Sequence, residues 1–213
     1  MLINPIRILL VDDHVMVRDG MRLMFSVDPQ LHITGEADTA QQALSLLQKE
    51  SFDVALIDIS LPDKSGLELL KQMIAIRPKL SILVISMYAE NMYALRALKL
   101  GAAGYLTKNS SASALIAAVR TAASGGKVIS ADTAQTLASL LGGRPLSNHE
   151  QLSDRELEVM KQIAKGESLV DIASQLHLSP STVTTYRTRI LEKMQMKTNA
   201  DLTRYVFANN LFQ

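Results

Sequence analysis

Cysteine is absent from this 213-residue chain. That excludes disulfides and thiolate metal sites and fits a cytoplasmic protein. Long apolar runs are absent as well. The longest are strand-length or form one helix face, well under the roughly 20 residues that a bilayer span needs, so no membrane partner is expected. The opening Met1-Leu2-Ile3-Asn4-Pro5 lacks a basic flank followed by a long apolar segment, so no secretory signal is expected. There is no internal repeat and no low-complexity tract. His14, His32, His149 and His177 show no metal-ligand spacing, so no metal role is expected of them. Charge of one sign is not in excess either. The formal net charge is +1, so bulk charge points to no nucleic-acid partner.

Apolar residues make up 47% and charged residues 20%, the balance of a folded globular chain rather than a disordered one. The length allows one large domain or two ordinary ones. Charge is uneven along it. Between Thr182 and Arg204 there are five cations (Arg187, Arg189, Lys193, Lys197, Arg204) against two acids, Glu192 and Asp201, a hint of phosphate binding in the last third.

Continuous apolar runs at 6–11, 54–57 and 81–85 suit parallel strands buried on both faces, and 32–37 and 104–106 are weaker strand candidates. Helical periodicity over 15–27, 40–49, 65–76, 92–100 and 112–124 separates and follows them, with Leu67, Leu70, Met73 and Ile74 as an example. Strands alternating with helices predict an α/β doubly wound five-stranded parallel sheet. Gly125-Gly126 closes the fifth helix, 132–141 forms one more, and residues from Gly142 to His149 read as a linker. Beyond Leu152 only helical stretches occur, at 154–165, 169–176, 180–194 and 199–209. Two domains are expected, residues 1–130 and 151–213, joined by a helical extension and linker at 131–150.

In such sheets the site lies at the carboxyl ends of the strands. Asp12-Asp13, Asp58, Ser86 and Lys108 stand at those ends for the first, third, fourth and fifth strands. Three carboxylates so placed repel one another unless a cation sits among them, and oxygen ligands favour Mg²⁺. Asp58 could then attack a phosphorus, with Lys108 and the Ser86 hydroxyl on the phosphoryl oxygens. Taken singly, an Asp pair after a strand is a helix cap, a lone Lys is solvated, and a lone Tyr is packing. Two other phosphoryl designs fail. A haloacid-dehalogenase-type phosphatase wants an Asp where Ser60 stands. A phosphate loop fails at Gly126-Lys127, which has Thr121 and Val128 where Gly and Ser/Thr belong.

Three strings, Leu10-Val11-Asp12-Asp13-His14, Asp58 to Gly66 (with Ser60-Leu61-Pro62-Asp63) and Gly101 to Lys108, together resemble the receiver domains of two-component response regulators, flavodoxin-like in fold. The resemblance implies that Asp58 accepts a phosphoryl group from a histidine kinase. It implies that Asp12, Asp13, Asp58 and the Ser60 carbonyl hold Mg²⁺, and that Ser86 and Tyr105 form a switch pair in which the ring turns inward.

The C-terminal helices carry their own signal. Ser153 with Glu156 forms a capping-box pattern, and Pro180 suits a helix start. A short helix, the His177-Leu178-Ser179 connection and a longer polar helix make a helix-turn-helix outline, without the usual turn Gly. With Val183, Ile190 and Met194 inward, Ser181, Thr185, Thr188 and Glu192 face out, flanked by Thr184 and Arg189. Hydroxyl residues edged by cations, Lys193 included, suit a major groove. Without stacking aromatics, they favour duplex DNA over single-stranded RNA. Arg187 is divided between DNA and an ion pair with Glu156 or another acid of the preceding helix. Met160, Met194 and Met196 are packing residues.

Leu152-Ser153-x-Arg155-Glu156, Ile172-Ala173-x-x-Leu176, Leu178-Ser179-x-x-Thr182-Val183 and Ile190-Leu191-x-Lys193-Met194 resemble the LuxR-type domain of NarL/FixJ-family response regulators. Residues from Thr182 to Arg189 are most similar to the UvrY/GacA-like subgroup. Thr184 and Tyr186 stand where many members carry Lys and His, which bears on the operator sequence. The family implies a homodimer on paired half-sites, with the last helix as a dimer contact, and a regulator rather than an enzyme. The rival readings are a protein-interaction or RNA-binding output, and a phosphorylation-independent DNA-binding regulator whose receiver is a dimerisation platform.

Overall fold

The computed structural model describes residues 5–87, 90–141, 148–176, 178–209 and 211–212, and the side chains of 90–92, 139–141, 150 and 154 are outside the description. Most of the expected linker and His177 therefore lie outside the described residues. The chain divides into two compact units, Met1–Ala138 and Ser139–Gln213.

The first unit alternates strand and helix as the periodicity predicts: β1 Ile6–Val11, α1 Val15–Ser26, β2 Leu31–Ala37, α2 Ala40–Lys49, β3 Val54–Asp58, α3 Gly66–Ile76, β4 Ser81–Ser86, α4 Glu90–Lys99, β5 Gly104–Thr107 and α5 Ala112–Ala123, and the boundary falls within the next helix, α6 Ala131–Leu141. The five strands form one parallel sheet in the order β2-β1-β3-β4-β5, so the expected doubly wound fold is present. Ile8 and Leu10 of β1 join Met21 and Phe25 of α1 and Leu115, Val119 and Ala122 of α5 in one core cluster. Leu9 and Val11 are also fully buried, as are Leu47 of α2 and Leu67, Leu70 and Met73 of α3. That two-sided burial is why β1 and β3 read as continuous rather than alternating apolar runs.

Element ends differ slightly from the periodicity. Asp58 ends β3 as expected, while Ser86 is the last residue of β4 rather than the first beyond it. Ser65 is the N-cap of α3, its hydroxyl accepting from the Leu67 N–H, because Ser satisfies an otherwise orphan donor better outside the helix than inside it. α4 begins two residues before the apolar pattern does.

The second unit holds a 3₁₀ turn, Asn148–Gln151, then α7 Asp154–Ala164, α8 Leu169–Gln175, α9 Pro180–Met194 and α10 Asn199–Ala208. Its buried residues include Leu157, Met160 and Ile163 of α7, Ile172 of α8, Val183, Ile190 and Met194 of α9, and Leu202 and Val206 of α10. Met160 and Met194 are thus core, as expected. Ser153 and Glu156 complete the capping box at α7. Ser179 caps α9, with Pro180 in its first turn. The α8–α9 connection closes without glycine through the Leu178 N–H on the Ala173 carbonyl (2.8 Å). Among the described residues no helix is long and apolar enough to cross a membrane.

Candidate functional site

The carboxyl edge of the sheet collects the acids. Asp12 follows β1 at 2% side-chain exposure, Asp58 ends β3 at 3%, and Lys108, just past β5, reaches both at 2.7 and 2.8 Å. Ser86 and Tyr105 are buried, Asp13 is exposed, and Ser60 sits in the loop after β3, bridged to Ser65. The expected switch ring of Tyr105 is therefore inside the protein in this structure.

The electrostatics follow from the count. Two buried carboxylates share one ammonium, leaving a surplus negative charge in a poorly solvated place. Burial raises the Asp58 pKa above the usual carboxylate range. The Lys108 hydrogen bond and charge and the Ser60 N–H oppose this, while the neighbouring charge of Asp12 adds to it. Burial alone would lower the pKa of Lys108, but hydrogen bonds and charge from Asp12 and Asp58 outweigh it, and the pKa is raised.

Asp12, Asp13, His14 and Asp58 each place one ligand atom within 4.8 Å of the others. Surplus negative charge and converging oxygens fit a divalent cation. His14, set aside on its sequence spacing, belongs to this group because the strand end and the start of α1 bring it there.

On α9, Ser181, Thr184, Thr185, Thr188, Arg189 and Glu192 are all exposed while Val183, Ile190 and Met194 are buried. The helical wheel is therefore realised in the structure. Thr184, Thr185 and Thr188 donate their hydroxyls to the carbonyls of Pro180, Ser181 and Thr184. That leaves an oxygen lone pair and a methyl on each for a partner.

Two of the cations have partners on neighbouring helices. Lys193, expected to face DNA, places its ammonium 2.6 Å from Glu156, a carboxylate at 3% exposure. Arg187, considered for that ion pair, instead donates to the Asn199 side chain at 2.6 Å. Glu156 is buried at the first turn of α7, and the Lys193 stem is the one that reaches it.

Residues 8–120 match the family model of the response regulator receiver domain, and residues 150–206 match that of bacterial regulatory proteins of the luxR family. Escherichia coli response regulator UvrY is 33% identical over 208 residues, covering 97% of this chain and 95% of its own. The transcriptional regulatory protein UhpA of the same organism is 36% identical over 203 residues, covering 95% and 98%. The chain belongs to the LuxR-family response regulators. Among solved structures, Salmonella enterica serovar Typhimurium RcsB, bound to promoter rprA in the presence of phosphomimetic BeF3⁻, superposes with TM-score 0.66 at 23% identity. It covers 95% of this chain and 98% of its own, a likeness of fold.

As a response regulator of this family, the chain is a transcription regulator rather than an enzyme. Three positions that carry no sequence expectation also shape the receiver site. Arg18 of α1 donates to the main-chain carbonyl of Asp12, steadying the turn after β1. Asp63 accepts from the Ala40 and Gln41 N–H groups at 2.9 and 3.0 Å, tying the loop after β3 to the start of α2. Gly66 donates its N–H to the Ile59 carbonyl at 2.7 Å, closing that loop beneath Asp58. Asp63 and Gly66 lie within the receiver-like string, so the signal was visible without its reason.

Proposed function

We propose that Asp58 accepts a phosphoryl group from a histidine kinase, and that this changes dimerisation and DNA binding through α9. The carrying observation is Lys108 held between Asp12 and Asp58 at 2.7 and 2.8 Å. An ammonium already seated on the acceptor carboxylate can move onto a phosphoryl oxygen as that carboxylate becomes an ester.

In the reaction an Asp58 oxygen forms a bond to phosphorus, the bond to the kinase histidine nitrogen breaks, and the histidine departs to be reprotonated. Asp12, Asp13, Asp58 and the Ser60 carbonyl would hold Mg²⁺. Bound there, the ion shields the attacking carboxylate and stabilises charge on the transferring group. Lys108 and Ser86 take the other phosphoryl oxygens, and Tyr105, already buried, stays packed behind the moved hydroxyl.

The reading extends to the partners. Ser181, Thr184, Thr185, Thr188 and Arg189 present the major-groove face, and Lys193 and Arg187 brace α9 against α7 and the start of α10. Two copies on paired half-sites follow from the family, with one recognition helix per half-site. The domain limits are 1–130 for the receiver, 131–150 for the extension and linker, and 151–213 for the DNA-binding part. The cytoplasm, where kinase and promoter meet, is its place.

Beryllofluoride with Mg²⁺ tests the reading. Wild type is expected to gain dimer population and affinity for a palindromic duplex, and Asp58→Asn is expected to gain neither. Equal behaviour of the two proteins would leave the receiver as a dimerisation platform only.

A further inference from the structure

His14 occupies the N-cap position of α1 but makes no side-chain cap bond. N-caps are ordinarily Ser, Thr, Asp or Asn, whose oxygens take a free helix N–H. The imidazole is turned to the acids instead. Its Nδ1 lies 2.7 Å from Asp13 Oδ1 and 3.2 Å from Asp12 Oδ1, and the ring is 60% exposed. Asp12 divides its two oxygens: Oδ2 faces Lys108, while Oδ1 accepts from the His14 N–H at 2.9 Å. The cluster thus has a lysine side and a histidine side.

Ligand atoms sharing one ion with bonds of about 2.0–2.2 Å lie roughly 3 Å apart. Donor atoms of Asp12, Asp13, His14 and Asp58 lie within 4.8 Å of one another, so their side chains must draw closer to share an ion. An all-oxygen site suits Mg²⁺, whereas an imidazole adds affinity for first-row transition ions such as Zn²⁺ and Co²⁺.

We propose that His14 makes the receiver pocket a mixed nitrogen–oxygen cation site that takes a transition-metal dication in competition with Mg²⁺. This rests on the reading of the acidic pocket as a cation site. The shared carboxylates make the two ions mutually exclusive, so a transition ion sets how much of the protein is loaded with Mg²⁺. His14 supplies the preference between them.

The test uses the full chain, titrated calorimetrically with Zn²⁺ and separately with Mg²⁺, and with Co²⁺ followed by its visible absorption. Because Asn is itself a favoured N-cap, His14→Asn retains the start of α1. Wild type is expected to bind Zn²⁺ at a site from which Mg²⁺ displaces it. The ratio of Zn²⁺ to Mg²⁺ affinity should fall by about tenfold or more in His14→Asn, the lower end of what even outer-shell changes cost at metal sites. The Co²⁺ spectrum should shift with loss of the nitrogen ligand. An unchanged ratio overturns the proposal, as does Zn²⁺ that Mg²⁺ cannot displace, since the ion then sits elsewhere. Failure of Mg²⁺ to bind wild type would instead overturn the acidic-pocket reading and carry this inference down with it.

Discussion

At Gly66 the space a side chain would need is already taken. A Cβ there would lie 1.9 Å from the backbone carbonyl oxygen of Asp58, and backbone cannot swing aside as a flexible side chain can. Gly66→Ala is therefore expected to push α3 away from the strand end that carries Asp58. A loss of about 1–3 kcal/mol, the usual cost of overpacking, should appear in thermal melts, together with slower acetyl-phosphate labelling. Lys161 of α7 shows a different cost. It is 6% exposed, and burial, joined by the charge of Lys165, lowers its pKa to about 8 despite the pull of Glu158. The folded pKa is below the unfolded one, so the unfolded chain binds more protons between the two values. Stability therefore rises with pH from about 8 to the ordinary lysine range. Lys161→Met keeps the apolar stem without the charge. It should melt higher near neutral pH, by roughly 1–3 kcal/mol, and lose the alkaline gain.

Between elements, an ion pair joins α9 to α7, and its acid serves twice. Glu156 accepts from the Ser153 N–H and from Lys193, both at 2.6 Å, so the cap of α7 and the position of the DNA-facing helix share a carboxylate. Burial works to raise the Glu156 pKa, but the hydrogen bonds from Lys193 and Ser153 outweigh it and hold it below the usual range. Its contribution is then present above the ordinary glutamate pKa and lost as pH falls through the depressed one. Lys193→Met leaves a buried carboxylate with one partner fewer and is expected to cost about 1–3 kcal/mol. Adding Glu156→Gln should recover part of that, and a double-mutant cycle from urea melts measures the coupling. Simple additivity would mean the pair does not brace α9. Spacing placed the exposed stripe of α9 but says nothing of the partners its cations take. A helical wheel gives direction, while the partner depends on which stem reaches the acid on another helix.

For the molecule as a whole, a net charge of +1 gives no general pull toward nucleic acid, so the attraction must be local to the basic last third. Arg189, exposed at the edge of the threonine stripe, is free of the ion pair that occupies Lys193 and of the hydrogen bond that occupies Arg187. Arg189→Ala is expected to weaken duplex binding and to reduce the slope of log affinity against log salt by about 1 per protomer. Fluorescence anisotropy on a palindromic duplex across a salt series reads both. An unchanged slope would place the phosphate contacts on other residues.

Sequence by itself determined the alternation of strands and helices, the parallel sheet, the two units and the acids at the strand ends. Those depend on the period of apolar residues and on short motifs, which are local properties of the chain. Only the tertiary structure decided that Lys108 spans Asp12 and Asp58, that His14 joins them, that Gly66 yields its space to the Asp58 carbonyl, and that Lys193 rather than Arg187 pairs with Glu156. Each of these is a meeting of groups from separate elements. Such meetings are set by packing distance and by the cost of leaving a buried charge alone, and neither is written in the spacing of any one segment.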